Sequence, residues 1–328
     1  MKRGIIGIVI LIAALIFVAG CAASNKGGNQ QTEKVKLYLY GAGTLAKPFK
    51  EVIGEFEKKY PNVTIESQFG GSVKMVKQVT ELHQPGDIIA VADYNVIPKY
   101  MFGENGQTKY TDWYIGFVNN SITFVYTDKS KYANEINSTN WYKILSEKGV
   151  QIGRSNPNTD PSGYQTLQML KLAEKYYKDP TIYEKILANA PEKNIRDTET
   201  ELLSSLEAGQ IDYLAIYKSD ALQHHLKYLD LPAQINLSDP KYANFYKEAV
   251  VDTKNGELSG KPIIYAITIP NNSKNTEWAI KFVEFLLGPD GQSIMKKNGF
   301  GVLEKPYANN VDKVPAELKN FVSEWPKQ

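Results

Sequence analysis

From residue 34 onward the hydrophobic period switches repeatedly between two residues and 3.6. Residues 34–40 set Val35, Leu37 and Leu39 against Lys36, Tyr38 and Tyr40, the alternation of a strand. Phe49, Val52, Ile53 and Phe56 then recur at i, i+3, i+4 and i+7, which is one face of a helix. Pro61 breaks that helix; residues 63–69 read as a strand, 72–82 as a helix and 87–91 as a short buried strand. Further on, the pattern predicts strands over 150–153 and 211–217 and helices starting at Pro161 and Thr198. A last amphipathic helix carries Trp278, Ala279, Phe282, Val283 and Leu286. Such alternation predicts an α/β fold with a largely parallel sheet.

Two apolar stretches break the rhythm. Residues 114–126 and 262–269 are strand-like with no long helix beside them. They are expected to carry the chain into and out of an inserted second α/β unit. The expected organisation is a first lobe of residues 35–117 plus 266–328 and a second lobe of 118–265, joined by two crossing strands. Two lobes around a cleft are a common way to close on a ligand.

The first residues have a different character. Lys2 and Arg3 precede an apolar run from Ile5 to Val18, followed by Ala19, Gly20 and Cys21. This is the layout of a signal peptide over residues 1–20, and the run is short for a membrane span. The lone Cys stands where lipoprotein signals place the residue that is lipidated after cleavage; the competing reading is a buried Cys in an uncleaved anchor. Residues 21–34, rich in Gly, Asn, Gln and Ser, read as a flexible tether. The body is then expected at the extracellular face of the cell membrane, and as a monomer. Five Asn-x-Ser/Thr sites, at Asn62, Asn119, Asn137, Asn236 and Asn271, are compatible with glycosylation there.

Composition removes several function classes. One Cys excludes an intramolecular disulfide framework and a Cys-rich metal or iron–sulfur site. Three His, at positions 83, 224 and 225, argue against a His-based metal enzyme. The net charge of +2 falls to zero without Lys2 and Arg3, so bulk electrostatics do not point to nucleic acid.

The candidate binding residues lie at helix starts. Gly41-Ala42-Gly43-Thr44 follows the first strand, and Gly70-Gly71-Ser72 follows the second. Each turn can bring backbone N–H groups and a hydroxyl to a small anion at a helix N-terminus. The ordinary reading is N-capping by Thr44 and Ser72; two such turns at equivalent ends of neighbouring strands favour an anion. In the inserted lobe, Asp160 before Pro161 reads as an N-cap, and Thr198 with Glu201 as a capping box that leaves Glu199 over. On residue type alone these acids oppose an anion.

Six segments together carry a resemblance: GAGTLAKPF (41–49), FGGSVKMVKQVTEL (69–82), DIIAVADYNVIP (87–98), SNPNTDPSGYQTL (155–167), LEAGQIDYLAIYKS (206–219) and INLSDPKYANFY (235–246). Over roughly residues 35–315 the chain resembles archaeal tungstate/molybdate-binding proteins, the substrate-binding lipoproteins of ABC transporters. The family usually has Ser at the position of Thr44 and often Cys at that of Ser162. The resemblance implies a two-lobed, periplasmic-binding-protein-like (type II) fold with two crossing hinge strands. It implies no catalysis and no cofactor, a ligand of tungstate or molybdate, and as partners an ABC permease with its cytoplasmic ATPase. It further implies that the metal is six-coordinate: four oxygens come from the oxyanion and two from protein carboxylates, here Asp160 and Glu199, with Glu201 as the nearby alternative. Gly43, Thr44, Gly71, Ser72 and Tyr217 would hold the oxo groups. The two acids then make sense: tungsten and molybdenum accept extra oxygen ligands, whereas sulfate and phosphate would be repelled.

Three other readings stand beside this one. A sulfate or phosphate receptor would use the same turns but not the acids. A sugar receptor is suggested by 21 Tyr, most at packing positions. A secreted hydrolase finds no support in motifs: G-x-S-x-G, H-E-x-x-H and the P-loop pattern are all missing from the sequence.

Overall fold

The computed structural model describes residues 34–325 except 104, 105, 107 and 255. The signal peptide, Cys21 and nearly all of the tether expected above lie outside the described residues. Residues from Lys34 onward form one compact unit.

The described residues form fourteen strands. In chain order they are β1 (Val35–Ala42), β2 (Val63–Gly70), β3 (Ile88–Val91), β4 (Ile115–Asn119), β5 (Ile122–Tyr126), β6 (Ile152–Ser155), β7 (Ile195–Arg196), β8 (Tyr213–Tyr217), β9 (Lys227–Tyr228), β10 (Val250–Thr253), β11 (Gly256–Ser259), β12 (Ile264–Thr268), β13 (Gly301–Ala308) and β14 (Ser323–Glu324). Seven form one sheet in the order β14-β13-β4-β12-β3-β1-β2, five form a second in the order β7-β6-β8-β5-β9, and β10 and β11 make a hairpin.

The fold is two-lobed α/β, with two crossings between the sheets. The apolar stretch over 114–126 splits into β4 of the first sheet and β5 of the second, with only Asn120 and Ser121 between them. The return brings the chain into β12, beside β4.

The expectation of largely parallel sheets is corrected. β1 runs parallel to β2 and β3, and β6 parallel to β7 and β8. The strands at the crossings run antiparallel to their neighbours: β12 against β3 and β4, β13 against β4, and β5 against β8 and β9. A parallel neighbour requires a crossover helix to return the chain. β12 instead returns from the other lobe and β4 leaves for it, so nothing imposes that direction.

Both faces of the large sheet are covered. Leu37, Leu39, Ile88, Ala90, Phe117 and Ile267 point into the main core, whereas Tyr40, Ile89, Val91 and Ala266 point into a second one. The period of two in each strand sends alternate side chains to opposite faces. Helix Ala46–Lys59 buries Phe49, Val52, Ile53 and Phe56 on the main face, and helix Ser72–Thr80 buries Val73, Val76 and Val79 on the other.

Residues distant in sequence complete the first lobe. Phe282, on helix Thr276–Leu287, meets Phe49 edge-on at 6.1 Å and Phe56 at 5.3 Å between ring centres. This aromatic cluster ties the C-terminal segment to the first helix. Phe282→Ala is therefore expected to lower global stability by about 3–5 kcal/mol through lost transfer energy and the cavity left behind. Denaturant unfolding followed by circular dichroism would measure it.

Candidate functional site

The site grows from strand ends. β1 and β2 are parallel neighbours, so the turns that follow them leave the sheet at the same edge. One turn carries Gly43 and Thr44, the other Gly71 and Ser72. In the second sheet β6 is parallel to both β7 and β8. The segments leaving those three strands carry Asp160, Glu199 and, at the last residue of β8, Tyr217. Ligands of open α/β sheets bind at such carboxyl ends.

The turns of the two lobes meet. A Cβ on Gly71 would come within 2.4 Å of the Thr159 carbonyl oxygen and 3.3 Å of that of Asp197. Gly71 has an ordinary negative φ, so it is this close approach that requires glycine. A Cβ on Gly43 would lie 3.6 Å from Thr200 Oγ1, an ordinary contact. Gly163 plays a matching role inside the second lobe: a Cβ there would strike Ser155 O, Asn156 C and Pro157 N at 2.6–2.7 Å. Its absence lets the helix Pro161–Tyr177 start directly against the end of β6.

The expected caps are corrected. Thr44 lies in a short 3-10 turn, Gly43–Leu45, and its hydroxyl meets Tyr265 Oη at 2.8 Å instead of a backbone N–H. Ser72 is the first residue of its helix, not the cap; its Oγ accepts the Ala92 N–H at 3.0 Å, which leaves its proton free to give. Asp160 occupies the N-cap position before Pro161 but makes no capping hydrogen bond. Thr198 does not form the reciprocal backbone box either; its hydroxyl donates to the Glu201 side chain at 3.2 Å. A capping role therefore explains neither Asp160 nor the hydroxyls.

Asp160 and Glu199 are both buried, at 3% and 1% exposure, and Glu201 is exposed. Asp160 Oδ2 and Glu199 Oε1 have no hydrogen-bond partner. Burial first, then the neighbouring Glu199 charge, pushes the Asp160 carboxyl well above the usual range. Burial likewise raises Glu199, and the bond it shares with Asp160 works against that rise. The two groups thus lie side by side. Buried, unpaired carboxylates are costly without a compensating partner. Ser162 Oγ, two residues from Asp160, is also buried without a partner.

Tyr217 is fully buried, and its hydroxyl donates to Gln165 Oε1 at 2.6 Å. Contact with an oxo group would require that proton to turn away from Gln165. Burial raises its phenol well above 10, so it stays a donor at neutral pH.

Two site residues escaped the sequence reading. Tyr265, on crossing strand β12, holds Thr44, and its hydroxyl accepts from Asn120 Nδ2 at 3.3 Å. Asp220 is a third buried acid, with Oδ2 unpartnered and its carboxyl raised by burial and by Glu199. The signal available for Tyr265 was a polar-tipped residue among Ile263, Ile264 and Ile267. For Asp220 it was an acid directly after the IYKS segment. Among the described residues no three His, Cys, Asp or Glu side chains form a metal-holding group.

Comparison with known proteins places this geometry. A family model of bacterial extracellular solute-binding proteins matches residues 37–301. The molybdate/tungstate-binding protein WtpA of Pyrococcus abyssi is 38% identical over 348 residues, covering 97% of this chain and 98% of that protein. A solute-binding protein of Petrotoga mobilis is 44% identical over 293 residues, covering 88% of this chain and 90% of the relative. Among solved structures, the periplasmic molybdate-binding protein of Azotobacter vinelandii superposes with a TM-score of 0.60 at 17% identity, over 82% of this chain and 100% of that one. The sulfate-binding protein SubI of Mycobacterium tuberculosis does so with a TM-score of 0.57 at 13% identity, over 82% and 88%. At such identities these structures show the shared fold. The named relatives bind solutes; they are not enzymes.

The contact at Gly71 is expected to be the less tolerant of the two turns. Gly71→Ala should prevent the lobes from meeting at Thr159 and enlarge the protein's radius of gyration in small-angle scattering. Gly43→Ala should leave that radius unchanged.

Proposed function

Since the chain belongs to the family of bacterial extracellular solute-binding proteins, we propose that its solute is tungstate or molybdate, held between the lobes and handed to an ABC permease. The observation that carries this reading is the buried pair Asp160 and Glu199, each with one carboxyl oxygen that has no hydrogen-bond partner. A tetrahedral oxyanion whose central atom accepts no further ligands would face two acids and be repelled. Tungsten or molybdenum, high-valent and hard, accepts both carboxylate oxygens beside its four oxo groups. The same pair then attracts one class of anion and rejects sulfate and phosphate.

The remaining residues bind and orient. Ser72 has a hydroxyl proton to give an oxo group, and Thr44 is held in place through Tyr265. The backbone at Gly43 and Gly71 supplies N–H donors at the two turns. Tyr217 donates once it releases Gln165. The ligand contacts both lobes, residues 35–117 with 266–328 and residues 118–265, and so favours the closed form. The permease would read that form, and its ATPase would drive import. The shared fold of molybdate and sulfate receptors leaves the choice of anion to the site, which is why the carboxyl pair decides it.

We further propose that Cys21 carries a lipid that holds the body at the extracellular face of the membrane. Metabolic labelling with a radioactive fatty acid should mark the protein, and Cys21→Ser should abolish the label.

The main test is thermal unfolding of the full-length protein with tungstate, molybdate, sulfate or phosphate. At about 1,000 times the dissociation constant, a ligand stabilises by roughly 4 kcal/mol, a readily measured rise in Tm. Tungstate and molybdate should raise Tm, and sulfate and phosphate should not; the reverse result would sink the reading. Asp160→Asn and Glu199→Gln should remove the tungstate effect. The ligand-free protein should respond in the opposite direction. The carboxyl pKa values are raised in the folded state, so stability falls as pH rises from the ordinary carboxyl range through the raised values. At neutral pH, Asp160→Asn should therefore raise the Tm of the ligand-free protein, a gain that disappears below about pH 4.

A further inference from the structure

A second buried polar cluster joins the lobes away from the carboxyl pair. Asp93 lies just past the end of β3, in the first lobe, and is 3% exposed. Its Oδ1 accepts the Asn95 N–H at 2.9 Å and pairs with Lys261 Nζ at 2.8 Å. Its Oδ2 accepts the Tyr164 hydroxyl at 2.7 Å. Lys261 also sits 4.4 Å above the Tyr94 ring.

The two partners of Asp93 differ in how they are attached. Lys261 stands three residues before Ile264, the first residue of β12, whose carbonyl accepts the Tyr94 N–H at 3.2 Å. β12 is itself paired with β3. Lys261 thus stands at the crossing itself, since the flanking Gly260 and Ile263 N–H groups donate to the Ala249 and Leu237 carbonyls of the second lobe while β12 joins the first sheet. Tyr164 belongs to the second lobe. It is four residues after Asp160, one turn along the helix Pro161–Tyr177, and so shares a rigid element with the first carboxylate. Its bond to Asp93 exists only when that helix has docked against the first lobe.

We infer that Tyr164 and Asp93 form an interlobe latch that positions Asp160 and sets how long the solute stays bound, with Lys261 pairing with the other oxygen of the Asp93 carboxylate. Burial and the Asp93 charge both raise the Tyr164 phenol, so it remains the donor. A hydrogen bond to a charged acceptor in a buried setting is among the stronger ones. In the open state Asp93 Oδ2 faces water and needs no Tyr164, so the bond favours closure specifically. This inference rests on the solute-binding reading above, which assigns none of the three latch residues to hold the solute.

The test is stopped-flow binding and release of tungstate by the full-length protein, with small-angle scattering of the ligand-free form. Tyr164→Phe should speed release about tenfold or more, with the association rate changed by less than about threefold. It should leave the ligand-free Tm near that of the wild type and enlarge the ligand-free radius of gyration. Lys261→Met should instead lower the ligand-free Tm, because it removes the counter-charge of the buried Asp93 carboxylate. A Tyr164→Phe release rate within about twofold of wild type, or a loss of ligand-free Tm equal to that of Lys261→Met, overturns the latch. If the wild type binds no oxyanion, the solute reading fails and scattering decides the latch alone. A larger radius for Tyr164→Phe then supports it, and equal radii overturn it.

Discussion

Two carboxyl groups held out of water beside each other dominate the energetics of this protein's cleft. Burial raises the proton affinity of both Asp160 and Glu199, the Glu199 charge adds to the rise at Asp160, and one oxygen of each finds no partner. Capping does not account for them, since Asp160 makes no capping bond and the 3-10 turn that holds Glu199 shows no side-chain cap. In the reading proposed above, a ligand that takes up carboxylate oxygens would relieve the cost of that burial. Asp220 is also buried with an unpartnered oxygen.

The architecture around the pair follows from strand direction. Parallel neighbours send their connections out at one edge, so the β1 and β2 turns converge, as do the segments after β6, β7 and β8. The two crossing strands then turn these edges towards each other. Close packing at the meeting point is visible at Gly71, where even a methyl group would strike the opposite backbone. Cross-lobe polar contacts differ in weight: the exposed Lys74–Asp197 pair, at 3.5 Å, contributes little, whereas the buried Tyr164–Asp93 bond has no competing water.

The legible part of the site was the part written in local motifs. Thr44, Ser72, Asp160 and Glu199 each stand at a helix start with a Gly, Pro or Thr beside it, and such positions can be read from spacing. Their ordinary capping roles could also be read, and there the reading failed. Whether a hydroxyl caps its own helix or turns to another strand depends on what lies opposite. Thr44 turns to Tyr265, 221 residues away, and Ser72 receives the Ala92 N–H. The mixed direction of the sheets was hidden for the same reason, because strand direction at the crossings is set by the other lobe.

The sequence by itself determined the elements, the turns and the chemical types available at them, because hydrophobic period, glycine and proline act within a few residues. It also carried the family resemblance, through six separated segments. Only the tertiary structure decided which acid of 199 and 201 is buried beside Asp160, which hydroxyls are already engaged, and that Asp93, Tyr164, Asp220 and Tyr265 belong to the same cleft. Those are questions of burial and of contact between chain segments far apart, and burial exists only once the lobes have folded and met.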